Sequence, residues 1–93
     1  PLISTSLTKF FYLNPKMWIE RDNRLVREFR FKDFQEAFTF ITRVAFIAEK
    51  MGHHPGIYNT FSYVRLELHT HDEGGLVTEK DRMFAREIDR VLA

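Results

Sequence analysis

Between Asp33 and Met51 apolar side chains return at helical spacing, with Phe34, Ala37, Phe38, Ile41, Val44, Ala45 and Ala48 falling along one face. Asp33 stands where a helix cap belongs, Glu36 is at the third helical position, and Gly52 supplies the stop, so the spacing predicts a helix over 33–51. A second set, Phe40, Ile47 and Met51 with Phe46 close by, makes the apolar surface wider than one sheet can cover. Either the helix lies deep in a core or it packs against another subunit. In so small a domain the second reading is favoured.

Period-two alternation marks the strands. Met17 to Glu20 and Leu25 to Phe31 flank the polar turn Arg21-Asp22-Asn23-Arg24, and Phe29 and Phe31 point away from Arg30, as in a half-buried hairpin. Downstream, Ile57 to Tyr63 and Val64 to Thr70 read as two strands or one bent one. Val64, Leu66 and Leu68 take the inner face, with Arg65, Glu67, His69 and His71 on the outer, so His71 is expected to end a strand on its polar side. After the Asp72-Glu73-Gly74-Gly75 turn, Thr78-Glu79-Lys80-Asp81 has the form of a capping box with Asp in the last place. It opens a final helix to about Leu92 whose buried stripe is Phe84, Ala85, Ile88, Val91 and Leu92. Ser4 to Leu13 shows no clean period and is left open between a short helix and an extended arm. Strand, strand, helix, strand, strand, helix suits an α+β fold, an antiparallel sheet covered on one face by helices.

The chain has 93 residues, enough for one domain that hides roughly 60–65% of its unfolded surface. With no cysteine, stability has to come from the ten phenylalanines and from self-association. Fourteen basic and thirteen acidic residues are interspersed, so no basic block tracks a phosphate backbone and direct binding of nucleic acid is not expected. No apolar run approaches the ~20 residues of a membrane helix, and no signal peptide is visible. A reducing cytoplasmic or nuclear setting is the default. The chain opens at Pro1 rather than Met, as a processed or truncated terminus would.

Chemistry concentrates in one window. All four histidines lie between positions 53 and 71, and His53-His54-Pro55 follows directly on the helix stop, where Pro55 blocks re-entry into a helix and keeps His54 extended. Three readings of the His pair stand side by side. As metal ligands, His53, His54 and His71 with Asp72 would make a four-donor site. As structural groups they would cap carbonyls at the negative end of the helix. As acid–base groups they fit best, because two adjacent imidazoles resist double protonation, leaving one as acid while the other stays neutral. Such a pair suits a reaction that expels a hydroxyl as water and removes a proton elsewhere on the same molecule. No motif for an activated nucleophile or a phosphate-binding loop is present.

The string Phe29-x-Phe31-x-Asp33-Phe34-x-x-Ala37, then Val44-Ala45-x-x-Ala48-Glu49-Lys50-x-x-His53-His54-Pro55, then Tyr63-Val64 and Leu68-x-Thr70-His71-Asp72-x-Gly74-Gly75-Leu76, resembles the pterin-4a-carbinolamine dehydratases, from about Trp18 onward. The resemblance implies a four-stranded antiparallel sheet with helices packed on one face. It implies dehydration of 4a-hydroxytetrahydropterin to quinonoid dihydropterin, in tetrahydrobiopterin recycling, with no metal or organic cofactor. Carried over residue by residue, the catalytic groups are His53, His54, His71 and Asp81. His53 and His71 are the acids toward the departing hydroxyl, and His54 orients the pterin and helps remove the ring proton. Pro55, Glu49, Lys50, Thr70 and Tyr58 join His54 as substrate-binding or supporting residues.

The same resemblance implies a homodimer or homotetramer through helix 33–51. It also implies a second possible role as dimerisation cofactor of a homeodomain transcription factor, with a protein partner. Two departures stand out. Ile57 and Phe61 occupy positions where many members carry Trp and Tyr, with Tyr58 the aromatic at hand, and Val77 is one residue extra before Thr78, shifting the register into Asp81. Asp81 therefore has two readings, site carboxylate and helix cap.

Overall fold

The protein's structure, a computed structural model, describes residues 17–71 and 74–92. The expectations for Ser4 to Leu13 and for Asp72 as a ligand fall outside these residues. Six elements follow in order: β1 (Ile19–Arg21), β2 (Arg24–Arg30), α1 (Phe34–Met51), β3 (Gly56–Thr60), β4 (Tyr63–Leu68) and α2 (Glu79–Leu92). The four strands form one antiparallel sheet in the order β1-β2-β4-β3, and both helices contribute to the core on one of its faces.

Turn chemistry sets the two hairpins. Asp22 and Asn23 both take positive φ, 52° and 61°, which a tight two-residue turn requires and which short polar side chains tolerate. The predicted four-residue turn is thus shorter, and β1 begins at Ile19 rather than Met17. The β3–β4 hairpin turns at Phe61-Ser62, so the 57–70 stretch is two strands.

Register then sorts the side chains. Leu25 faces Leu68, Arg27 faces Leu66 and Phe29 faces Val64, with Ile57 opposite Leu66 on the same side. Val64, Leu66 and Leu68 are fully buried with Phe84 and Ile88 of α2, each such side chain stabilising the fold by about 1.5–3 kcal/mol. The exception on this face is Arg27, buried among apolar groups. Its Nη1 donates to Asp89 Oδ1 at 2.7 Å, and Trp18 Nε1 donates to the same oxygen at 3.0 Å, tying the first hairpin to α2. Burial pulls the Arg27 guanidinium below its ordinary value, and the Asp89 carboxylate opposes that pull.

Helix α1 has the predicted ends. Asp33 accepts from the Glu36 N–H at 2.8 Å. Gly52, at φ 64°, is left-handed; its N–H reaches the Glu49 carbonyl while the His53 N–H reaches the Ala48 carbonyl at 3.1 Å, the paired bonds of a Schellman stop.

Its buried face is rotated from the one read in the sequence. Phe40 is buried against Phe29 and Phe31, with ring centroids 4.7 and 5.1 Å away, and Ile47 and Met51 pack on the core. Phe34, Phe38 and Ala45 are exposed instead. The cause is α2, which lies beside α1 and covers the flank that a sheet alone leaves open. Surplus apolar surface therefore exists, but it consists of Phe34, Phe38, Ala45 and Phe46. Two smaller corrections apply: Leu92 is exposed, and β4 stops at Leu68, so His71 lies three residues past the strand.

Candidate active site

The Schellman stop turns the chain sharply at Gly52 and drives the His53 ring inward beneath α1. There it is 7% exposed and packs against Phe84, ring centroids 5.9 Å apart. From α2 comes Asp81, in the first helical turn, with no exposed surface at all. Their side chains meet: His53 Nε2 and Asp81 Oδ1 are 2.5 Å apart. The second oxygen, Oδ2, accepts from the Thr70 hydroxyl at 2.8 Å and from the Thr78 N–H at 2.9 Å. The Thr70 and Thr78 hydroxyls are themselves 2.6 Å apart. Residues far apart in sequence thus converge on one carboxylate.

Burial by itself raises the Asp81 carboxyl. The His53 bond, the Thr78 N–H, the Thr70 hydroxyl and the charge of His53 outweigh it, and the net effect holds Asp81 below its ordinary value. Asp81 is therefore an acceptor at neutral pH. It receives the His53 Nε2–H, which fixes that ring's orientation and leaves Nδ1 as its other nitrogen.

The extra residue Val77 does not disturb this arrangement. The Thr70 N–H donates to the Leu76 carbonyl at 2.8 Å and the Gly75 N–H to the Thr70 carbonyl at 3.0 Å, a one-rung bridge that closes the turn, while Val77 packs on the core. The two readings of Asp81 prove compatible: one oxygen caps the Thr78 N–H as the capping box predicts, and the other holds His53.

The remaining candidates are distributed as follows. His54 is exposed at the rim and its Nε2 is 2.8 Å from Glu49 Oε2, one turn back on α1. Pro55 is half-buried beside it. Thr70 is buried, its hydroxyl spent on Asp81 and Thr78. His71, next in the chain, is exposed, and its ring lies 5.7 Å from that of His69. Lys50 lines an open groove on the helical side with Phe46, Met51 and Met83.

Tyr58 pairs with Arg65 on the sheet face away from the helices, with the Arg65 guanidinium 4.8 Å from its ring, whereas Ile57 is on the helix side. The pleat therefore prevents Tyr58 from taking the place of an aromatic at 57. Among the described residues, no three His, Asp or Glu side chains are grouped to hold a metal ion, so the three-imidazole reading gains no geometric support. Two residues escaped the sequence reading. Thr78 was legible as a cap but not as a partner of Thr70, and His69 was placed only as a strand position.

Comparison with known proteins bears on the chain as a whole. The sequence profile described as pterin 4 alpha carbinolamine dehydratase matches residues 2–91. A protein of Chloroflexus aggregans, provisionally named a pterin-4-alpha-carbinolamine dehydratase, is 44% identical over 91 residues, covering 98% of this chain and 96% of its own. One of Synechococcus sp. WH7803 with the same provisional name is 51% identical over 72 residues, 77% of this chain and 76% of that one. Among solved structures, a transcriptional coactivator/pterin dehydratase from Brucella melitensis superposes with a TM-score of 0.78 at 34% identity, covering 96% of both chains. A pterin dehydratase-like protein identified as a RuBisCO assembly factor of the α-carboxysome superposes with a TM-score of 0.67 at 26% identity, over 78% of this chain and 86% of that one.

Proposed function

The chain belongs to the pterin 4 alpha carbinolamine dehydratase family, and on that premise we propose that it dehydrates a 4a-hydroxytetrahydropterin to quinonoid dihydropterin and water, as in tetrahydrobiopterin recycling. The carbon–oxygen bond at the carbinolamine breaks, the hydroxyl leaves as water after taking a proton, and a ring N–H gives one up. No electron is gained or lost overall. The observation that carries this reading is the buried His53–Asp81 pair, an imidazole oriented by an ionised carboxylate at the edge of a site flanked in sequence by His54 and His71.

In this reading His53 and His71 protonate the departing hydroxyl. His54, steadied by Glu49 and Pro55, orients the pterin and helps take the ring proton. Thr70 acts through Asp81, while Lys50 and Tyr58 stand outside the Asp81 cluster and are the first of the binding assignments to test. The test is to follow quinonoid dihydropterin formation from synthetic carbinolamine with the purified chain. A rate above the spontaneous one is expected, with His53→Ala and His71→Ala each costing about 10²–10⁴-fold. A rate equal to the spontaneous one defeats the reading, and activity that survives the double replacement defeats the two acid assignments.

A second reading has its own support: the coactivator named in the Brucella melitensis structure, together with the exposed Phe34, Phe38 and Phe46 of α1. In it the same fold serves as a partner for another protein, and the α1 stripe joins copies into a homodimer or homotetramer. A cytoplasmic place suits the first reading, a nuclear one the second. Light scattering of the purified chain distinguishes an assembling protein from a monomer.

A further inference from the structure

Thr78 stands immediately before α2, where the hydroxyl of a capping box ordinarily turns back to accept from the N–H three residues on. Here only half of the box is made. Asp81 Oδ2 accepts from the Thr78 N–H at 2.9 Å, but the Asp81 N–H goes to the Thr78 carbonyl at 3.0 Å, and the Thr78 hydroxyl turns to that of Thr70, 2.6 Å away. The reciprocal bond of the box is given up for a contact across the turn. A helix cap alone does not require that contact.

The direction of the hydrogen-bond chain follows from its end. Asp81 is ionised and can only accept, so the single Thr70 hydroxyl proton is committed to Oδ2 at 2.8 Å. Thr70 Oγ1 therefore accepts in the 2.6 Å contact, and the donor is Thr78. On the other carboxylate oxygen, Oδ1, His53 Nε2–H donates at 2.5 Å. Thr70 is 4% exposed and Asp81 has no exposed surface, so water does not compete for these bonds. A hydroxyl that accepts one hydrogen bond donates more strongly in the next, by roughly 10–30% per link. Thr78 thus reaches the carboxylate twice, through its N–H and, by way of Thr70, through its hydroxyl. Both draw negative charge toward Oδ2 and away from the oxygen that faces His53.

We propose that Thr78 is a positioning residue for His53: through the Thr70 hydroxyl it weakens Asp81 Oδ1 as an acceptor, so the carboxylate orients the imidazole without holding its proton too tightly for delivery. This rests on the dehydratase reading above, in which His53 gives a proton to the departing hydroxyl. An acid works best when its proton affinity lies near the operating range, and a carboxylate stripped of its other donors would bind the imidazolium too firmly to release it. The Thr70–Thr78 pair moderates that pull. The bridge between Thr70 and Leu76 closes the turn that brings position 78 back to position 70.

The test removes the Thr78 hydroxyl and reads His53. Thr78→Val keeps the shape, Thr78→Ala keeps only the Cβ, and Thr78→Ser restores the donor, each made in wild type and beside Thr70→Val. The first readout is the proton NMR resonance of His53 Nε2–H, which lies downfield when an imidazole donates to a carboxylate at short range. It should move further downfield in Thr78→Val and Thr78→Ala and return in Thr78→Ser. Beside Thr70→Val, with the link already cut, Thr78→Val should move it no further. The second readout is dehydration. In Thr78→Val kcat should fall by about 1.5- to 5-fold, the range of a 10–30% change in a charge-assisted hydrogen bond, with KM within about twofold and recovery in Thr78→Ser. A resonance unmoved by loss of the hydroxyl overturns the proposal, as does an equal shift with and without the Thr70 hydroxyl; Thr78 is then a helix cap whose loss lowers the melting temperature alone. If the resonance responds as expected but wild type does not accelerate dehydration, the dehydratase reading fails and the hold of Thr78 on His53 stands. If wild type turns over and neither resonance nor kcat answers to Thr78, the positioning role fails and the dehydratase reading stands.

Discussion

Replacing Asp81 by Asn keeps the shape of the side chain and takes one negative charge out of a site with no exposed surface. Three donors now converge on the carboxylate: His53 Nε2–H on one oxygen, and the Thr70 hydroxyl and Thr78 N–H on the other. An amide has one acceptor oxygen. If that oxygen serves Thr70 and Thr78, the amide N–H₂ confronts His53 Nε2–H, and His53 must move its proton to Nδ1 or lose the contact. With no solvent to screen the loss, disrupting such a buried pair costs about 3–5 kcal/mol, and the retained oxygen brings this to the low end, about 3 kcal/mol. For a domain of this length that corresponds to a fall in melting temperature of roughly 12–24 °C.

The pH dependence gives a separate handle. Asp81 is held below its ordinary value in the folded state, so its contribution is fully present above the unfolded carboxylate value near ~3.9 and disappears as the pH falls through the lower folded value. Urea unfolding of wild type and Asp81→Asn at pH 7 and at successively lower pH should show a gap that is constant above about pH 5 and closes in acid. Equal stability at pH 7, or a gap that persists undiminished in strong acid, refutes the argument. In the dehydratase assay the same variant should lose about 10²-fold or more while remaining folded at low temperature, because His53 no longer has a carboxylate to orient its ring and stabilise the imidazolium form that delivers a proton.

Three further outcomes follow from the packing. Phe40→Glu should unfold the chain, since Phe40 is 4% exposed, whereas Phe38→Glu, at 51% exposure, should leave the unfolding free energy of an isolated subunit within about 1 kcal/mol of wild type and abolish any self-association seen by light scattering. Asp89→Ala should destabilise by about 2 kcal/mol in urea titrations, because it takes the carboxylate from the buried Arg27 and from Trp18, while Arg27→Met should cost less. Gly52→Ala meets no neighbouring atom but must adopt φ 64°, so it should cost about 1–2 kcal/mol in melting experiments without altering the dehydratase rate more than about twofold.

Local rules carried a long way in this chain. The cap at Asp33, the stop at Gly52 and the alternation of Val64, Leu66 and Leu68 are each decided by backbone sterics or by a period that neighbouring residues share, so they are readable without knowing the partner element. The face of α1 was not readable in the same way. Phe34, Phe38 and Phe40 are all apolar, and which of them is buried depends on how the helix sits over Phe29 and Phe31 and beside α2, which no local pattern records.

The candidate site divides along the same line. From the sequence alone come the crowding of the histidines, the fixed backbone around His53-His54-Pro55 and the resemblance that singled out His71 and Asp81, because spacing and residue type are one-dimensional properties. Tertiary structure alone decided that His53 is a buried partner of Asp81 while His54 faces outward to Glu49, that Thr70 lies behind the carboxylate, and that Val77 is absorbed by the turn. The reason is physical: a carboxylate acquires its partners, and hence its protonation, from groups the chain brings together across sequence separations of 28 and 11 residues. No local pattern records where those paths meet.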